Sequence, residues 1–226
     1  MPNAQAIGVI VALCGAPALL LITRHFRIDA LRYSVRLGMW LLTAVVLLLA
    51  RSSSTDWRAS LGLIHPGAAT LIFVIGGTLL ALAGWPIVQA AQHEIGGTQV
   101  VDTEPFQKLI AIPLARRVFL ILTAGITEEV LYRGYAIGVG TAALGSIWIA
   151  AALSLLLFIG AHFRWGVSHL ASVAWVGLIL TAIFVLTGDL IACMICHTLV
   201  DGVGLILAPA AMAMKAKHGD AGGRSS

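Results

Sequence analysis

Three groups of ionisable side chains interrupt the apolar runs of this 226-residue sequence. In chain order the residues are Glu128, Glu129, Arg133, His162, His197 and Asp201. Ionisable groups inside membrane-spanning segments cost free energy, so they mark functional sites by default. A carboxylate in an apolar surround suits a general base, and two histidines beside carboxylates can bind zinc or hydrogen-bond a water and a developing oxyanion. The residue types therefore indicate hydrolysis of an amide bond by activated water, within or beside a membrane.

The two adjacent glutamates are predicted to have different roles. Glu129 and Arg133 are four residues apart, so on a helix they share a face and can form an ion pair. Glu128 points about 100° away from Glu129. We therefore predict that Arg133 neutralises Glu129 and leaves the carboxylate of Glu128 free for chemistry.

The two histidines lie on separate apolar runs, and each has a neighbour one helical turn away. His162 follows Phe158, for which we predict a packing role, and His197 precedes Asp201 on the same face. Asp189 lies at a helix boundary, where an N-cap role is expected. The sequence contains neither the Gly-x-Ser-x-Gly motif of serine hydrolases nor the His-Glu-x-x-His motif of zinc proteases.

The elements that must position these residues are predicted to be membrane-spanning helices. The chain is 59% hydrophobic and 11% charged, against roughly 25% charged in an average soluble domain. Open sheet edges cannot lie in lipid, so apolar runs of this length indicate helices. The fold class is therefore all-α, a polytopic membrane helix bundle of about seven transmembrane helices. The candidate runs are 6–23, 37–50, 68–91, 118–139, 144–161, 170–186 and 190–212.

We predict a single transmembrane helical domain over 1–214, with its catalytic core at about 116–209, and a disordered Gly/Ser-rich tail over 215–226. Basic residues favour the cytoplasmic side of a membrane. Four of them crowd the first loop, at Arg24, Arg27, Arg32 and Arg36. Seven spans would then place Arg116 and Arg117 at the cytoplasmic mouth of the fourth span.

The order of the three motifs resembles that of the CPBP intramembrane proteases, a family of CAAX proteases and bacteriocin-processing proteins that is also called Abi. Its motifs run Glu-Glu-x-x-x-Arg, Phe-x-x-x-His and His-x-x-x-Asn/Asp, each on its own hydrophobic helix. Here they are Glu128-Glu129 with Arg133, Phe158 with His162, and His197 with Asp201. The resemblance covers about 116–209, and the triplet Leu61-Gly62-Leu63 is faintly similar to the same family.

The resemblance implies an intramembrane endopeptidase in which Glu128 activates the water and His162 assists. His197 and Asp201 would complete a metal site or an oxyanion pocket, with zinc on His162 and His197 left open. Several members carry Asn at the position of Asp201, and an ionised Asp cannot donate a hydrogen bond. The implied catalytic residues are Glu128, Glu129, His162, His197 and Asp201, with Arg133 and Phe158 as structural support.

The expected partners are the lipid bilayer and a membrane-tethered, hydrophobic or lipidated peptide or protein. The net charge of +4 does not indicate nucleic-acid binding, because the basic residues cluster at the ends of apolar runs. The expected location of this multi-pass protein is a bacterial cytoplasmic membrane.

Three other interpretations stay open. Buried Glu and His also suit a transporter or proton relay, although the sequence has no evident inverted repeat. A non-catalytic, immunity-type member of the same family is another possibility, although the complete set of motif residues argues against it. The stretch from Cys193 to His197 fits the C-x-x-C-H pattern of haem attachment, but its cysteines lie in an apolar run and the pattern leaves Glu128, Glu129 and His162 unexplained.

Overall fold

A computed structural model describes residues 2–29, 31–96, 104–163 and 167–210, which form a helix bundle with short connections. The predicted tail at 215–226 lies outside the described residues. The helices are α1 (Pro2–His25), α2 (Tyr33–Ser53), α3 (Trp57–Ser60), α4 (Ala68–Gly96), α5 (Glu104–Ala111), α6 (Leu114–Glu129), α7 (Gly140–Leu144), α8 (Ile147–Ala161), α9 (Val167–Thr187) and α10 (Leu190–Gly202). Two π-helical segments continue α6 and α10 directly, π1 (Val130–Val139) and π2 (Val203–Leu207).

The predicted all-α membrane architecture is confirmed. Five described helices are long and apolar enough to span a bilayer: Ala4–His25, Tyr33–Ser53, Ala68–Ala91, His169–Thr187 and Leu190–Ala210. The helix α8 is apolar but shorter, and the predicted run 118–139 lies in the helix formed by α6 and π1. Lipid contact accounts for large side chains such as Leu41 and Leu48, which are about two-thirds exposed on the surface of the bundle.

One end of the bundle is held together by two arginines at the start of α6. Arg116 donates from Nη2 to the carbonyl of Leu31 in the first loop at 2.7 Å. Arg117 donates from Nη1 to the carbonyl of Leu205 in π2 at 2.8 Å. The first loop, the start of α6 and the end of the last helix therefore share one end of the molecule. We call it the basic end.

A glycine joins the loop after α3 to the start of α10 at the opposite end. Gly62 has a φ of +77°, and a Cβ at this position would meet the carbonyl oxygen of Gly188. The Gly62 carbonyl in turn accepts a hydrogen bond from Leu190 N at 2.9 Å. Only glycine combines that backbone conformation with so close an approach. The triplet Leu61-Gly62-Leu63 thus attaches the loop to the α9–α10 turn.

Asp189 caps α10, as its position predicted. Its Oδ1 accepts from Ala192 N at 2.9 Å, which satisfies an otherwise unpaired amide of the first turn. Its Oδ2 accepts from the Thr70 hydroxyl at 2.6 Å. The cap therefore also fixes α10 against α4.

The segment π1 is the buried centre of the bundle. Nine of its ten residues are buried, and it packs against α1, α2 and α8. Its side chains include Tyr132, Arg133 and Tyr135, each no more than 1% exposed. Wide π-type turns are rare and often occur at functional sites. Here π1 follows directly after the two glutamates.

Candidate active site

Glu129 is fully buried and saturated with hydrogen bonds on one oxygen. Its Oε1 accepts from Arg133 Nη1 at 2.9 Å and from His197 Nδ1 at 2.7 Å. Arg133 also donates from Nη2 to the carbonyl of Gly177 in α9 at 3.0 Å. The predicted Glu129–Arg133 pair is thus present, and it ties α6, π1, α9 and α10 together.

Glu128 is oriented away from that network. Its side chain is 13% exposed, and its nearest charged partner is His162, with Oε2 and Nε2 3.8 Å apart. That oxygen is buried and has no hydrogen-bond partner among the described residues. Helical spacing predicted a free carboxylate at this position, and the structure agrees.

His162 follows the last residue of α8. Its Nδ1 lies 2.8 Å from the carbonyl oxygen of Phe158. A carbonyl only accepts, so Nδ1 carries the hydrogen. In the neutral ring the unprotonated Nε2 therefore faces the carboxylate of Glu128.

His197 is held between two carboxylates. Glu129, which is paired with Arg133, accepts a hydrogen bond from Nδ1 of His197. The other ring nitrogen of His197, Nε2, faces Asp201, with 3.6 Å between Nε2 and Oδ2. Asp201 is the more open of the two acids, at 32% side-chain exposure. The predicted one-face arrangement of His197 and Asp201 on α10 is confirmed.

Phe158 packs at the centre of the site. It is 2% exposed, and the guanidinium of Arg133 lies 4.4 Å from the centre of its ring. Its ring also makes an edge contact with Tyr132, at 5.3 Å between centroids, and a tilted one with His162, at 4.8 Å. The predicted packing role is confirmed.

A cavity of about 270 Å³ connects these groups. Its ionisable lining residues are Glu128, Tyr132, His162, His169, His197, Asp201 and Arg36. Among the residues described, Glu129 is not part of the lining. The lining also includes Leu31 and Leu205, whose carbonyls bind Arg116 and Arg117. The cavity therefore reaches from the glutamates to the basic end.

Three ionisable residues of the lining were not predicted from the sequence to belong to a site. Arg36 was assigned to membrane orientation, but it lies near Glu128 and Asp201 and interacts electrostatically with both. His169 is not singled out by any sequence motif, yet its ring centroid is 6.5 Å from that of His162. Tyr132 lies inside the first motif, where its hydroxyl gave no signal. These three side chains come together in one cavity only when helices that are far apart in the sequence pack against one another.

A zinc ion needs at least three protein ligands in a catalytic site. Within the described part of the chain, no three His, Cys, Asp or Glu side chains converge in that way. The Nδ1 atoms of His162 and His197 face Phe158 and Glu129, so each ring has only Nε2 left for a metal. The side chains as arranged do not fit a zinc site, and zinc stays a prediction.

The haem interpretation conflicts with the packing of the C-x-x-C-H stretch. Cys193 and Cys196 are both 0% exposed. The Cys193 thiol donates to the carbonyl of Leu180, and the Cys196 sulfur accepts from Thr78. A thioether-linked haem would need space that these contacts fill.

Fold and site together define a polytopic membrane protein with a buried glutamate–histidine cavity. Residues 110–203 match the profile of a protease family, described as type II CAAX prenyl endopeptidase Rce1-like. The match contains all three motifs and confirms the predicted resemblance to the CPBP and CAAX proteases. Neither the curated proteins nor the solved structures include a significant match to the chain.

Proposed function

We propose that this protein is an intramembrane endopeptidase in which Glu128 activates a water molecule. The observation that carries the proposal is the unpaired carboxylate of Glu128, which faces His162 Nε2 across 3.8 Å in the cavity. That gap is too long for a hydrogen bond, and one water can bridge it. The family match supports peptide hydrolysis as the reaction.

The reaction begins with the bridging water donating one hydrogen bond to Glu128 and the other to His162 Nε2. Glu128 takes a proton while the water oxygen adds to the carbonyl carbon of the scissile bond. The tetrahedral intermediate then collapses, the C–N bond breaks, and the proton passes from Glu128 to the leaving nitrogen. Water is consumed, and the carboxylate of Glu128 is regenerated.

Glu129 and Arg133 act as positioning residues. Glu129 accepts from His197 Nδ1 and so orients the imidazole towards the cavity, while Arg133 donates to the same oxygen of Glu129 and holds it in place. Asp201 faces His197 Nε2 and contributes to the same orientation. His197 and Asp201 therefore form the cavity wall opposite His162.

The proposed substrates are membrane-associated, hydrophobic or lipidated peptides and proteins. Apart from its polar groups the cavity is lined by apolar side chains such as Leu120, Val173 and Val176. Such a lining favours an extended apolar segment. The proposed location is a bacterial cytoplasmic membrane, with the basic end at its cytoplasmic side.

Cleavage of fluorogenic, membrane-tethered peptides by the purified protein in liposomes tests the proposal. We expect turnover by the wild type and a loss of at least about 100-fold in Glu128→Gln, because the amide cannot accept the proton. Asp56→Asn is the matched control, since Asp56 is exposed in the loop between α2 and α3. Equal turnover by Glu128→Gln and wild type would falsify the assignment of Glu128.

A parallel assay with a zinc chelator separates the two water-activation chemistries. A glutamate mechanism predicts unchanged turnover after exhaustive chelation. Loss of activity that zinc restores would show instead that the side chains rearrange around a metal.

A further inference from the structure

Every peptide hydrolysis that passes through a tetrahedral intermediate needs a hydrogen-bond donor for the oxyanion. The motif residues of this chain offer few such hydrogen-bond donors. An ionised Asp201 only accepts. The Nδ1 hydrogens of His162 and His197 are directed to Phe158 and Glu129, so neither of these two hydrogens is available to an oxyanion.

Tyr132 has a hydroxyl group that makes no hydrogen bond within the described structure. It is 1% exposed, and its oxygen is buried without a hydrogen-bond partner among the described residues. Buried polar atoms are almost always paired, so an unpaired one calls for an explanation. Tyr132 also lines the cavity that contains Glu128.

The position of Tyr132 relative to Glu128 is suitable for both side chains to act on the same peptide bond. The two residues are four apart on one continuous helix, and the charge of Glu128 acts on the hydroxyl. Neither the Glu128 Oε2 atom nor the Tyr132 hydroxyl has a hydrogen-bond partner among the described residues, and both residues line the same cavity. The Tyr132 ring is fixed by its edge contact with Phe158.

We infer that the Tyr132 hydroxyl donates a hydrogen bond to the carbonyl oxygen of the scissile peptide and stabilises the oxyanion that forms there. The inference rests on the proposed endopeptidase function. The proton stays on Tyr132 throughout; the hydrogen bond strengthens as negative charge develops and weakens when the C–N bond breaks.

Two phenylalanine variants test the inference. Tyr135, on the same segment π1, is also fully buried, and its hydroxyl also lacks a partner in the described structure. That hydroxyl lies against Gly8 of α1, and Tyr135 is not among the residues that line the cavity. Tyr132→Phe and Tyr135→Phe therefore remove the same atom from equally buried positions inside and outside the cavity.

We expect Tyr132→Phe to lower kcat by about 100-fold, the effect of removing one oxyanion donor, with KM changed less than twofold. Tyr135→Phe should keep the wild-type kcat, and the two variants should unfold at similar temperatures. If Tyr132→Phe has the wild-type kcat, or if kcat falls equally in both variants, the inference about Tyr132 is wrong and the proposed function still stands. Absence of cleavage by the wild type overturns the proposed function, and the inference with it.

Discussion

Two neighbouring carboxylates of the same residue type have opposite environments in this protein. Glu129 is 0% exposed and accepts hydrogen bonds from Arg133 and His197. Glu128, one residue earlier, faces the cavity without such partners in the described structure. A helix turns by about 100° per residue, and that rotation places one carboxylate in the buried network and the other in the cavity.

Substitutions at the two glutamates should therefore separate stability from activity. Glu129→Gln leaves the buried guanidinium of Arg133 without its counter-charge, and breaking a buried pair costs about 3–5 kcal/mol. We expect a lower unfolding temperature and a loss of activity. Glu128→Gln should lose activity at an almost unchanged unfolding temperature, because it breaks no described hydrogen bond. Differential scanning fluorimetry in detergent gives the comparison; equal destabilisation of both variants contradicts it.

Arg36 is a cationic residue of the cavity lining. We predict that the charge of its side chain affects activity more than the shape of its guanidinium group does. Its Nε atom is buried without a partner among the described residues, and it interacts with Glu128 and Asp201 at longer range. Arg36→Gln should lower kcat at least about tenfold, because it leaves these two carboxylates uncompensated. Arg36→Lys should keep most of the activity.

The exposed Arg58, which stacks over Trp57 in α3, provides the control for that experiment. Arg58→Gln should be neutral in the same peptide assay. If Arg36→Lys is as slow as Arg36→Gln, the guanidinium shape is what matters and the charge argument is wrong.

The close approach of α6 and α10 brings the glutamates to the histidine. Gly125 lies one turn before Glu129, and a Cβ there would meet the side chain and backbone of Thr198. A methyl group there requires the Thr198 hydroxyl to move and its backbone to shift by a few tenths of an ångström, and we expect this shift to lengthen the hydrogen bond from His197 to Glu129. Small residues serve the same purpose at other membrane helix contacts.

Gly125→Ala is accordingly predicted to reduce peptide cleavage at least about tenfold. The control is Gly76→Ala in α4, because nothing lies within 4 Å of a Cβ at that position. Alanine favours helix over glycine, so the control variant should be as active and at least as stable as the wild type. Full activity of Gly125→Ala would show that the helices tolerate the separation.

Local spacing predicted those features of the site that lie within one helix. The Glu129–Arg133 pair, the free Glu128 carboxylate, the His197–Asp201 face and the Asp189 cap all follow from residues no more than four apart. Contacts between helices could not be predicted in that way. His197 and Glu129 are 68 residues apart, and the position of Arg36 in the cavity depends on how α2 packs against α6. The π-type turns also leave no periodic signal in a uniformly apolar sequence.

At the scale of the whole molecule, three chain segments meet at one end, and two of them contain basic residues. The first loop, the start of α6 and the end of π2 are joined there by Arg116 and Arg117. The predicted topology places this end in the cytoplasm. The cavity would then open towards the cytoplasmic side.

Single cysteines in the two loops flanking α2 test that orientation. Asp29→Cys lies in the first loop and Asp56→Cys in the second, and both positions are exposed. A membrane-impermeant thiol reagent should label position 56 in intact cells and position 29 only after permeabilisation. The unsubstituted protein gives the background from Cys14. The reverse labelling pattern would invert the topology.

The helix α8 has only 15 residues, so it rises about 22 Å, less than the roughly 30 Å of a hydrocarbon core. With Ile147 near one surface, His162 at the other end stops several ångströms short of the opposite surface. We therefore expect the bilayer to be locally thinner beside Glu128 and His162. Water is the second reactant of any hydrolysis and scarce in lipid, and a short helix supplies it without a channel. A lipid-anchored chain could be cut there while its anchor stays in the membrane.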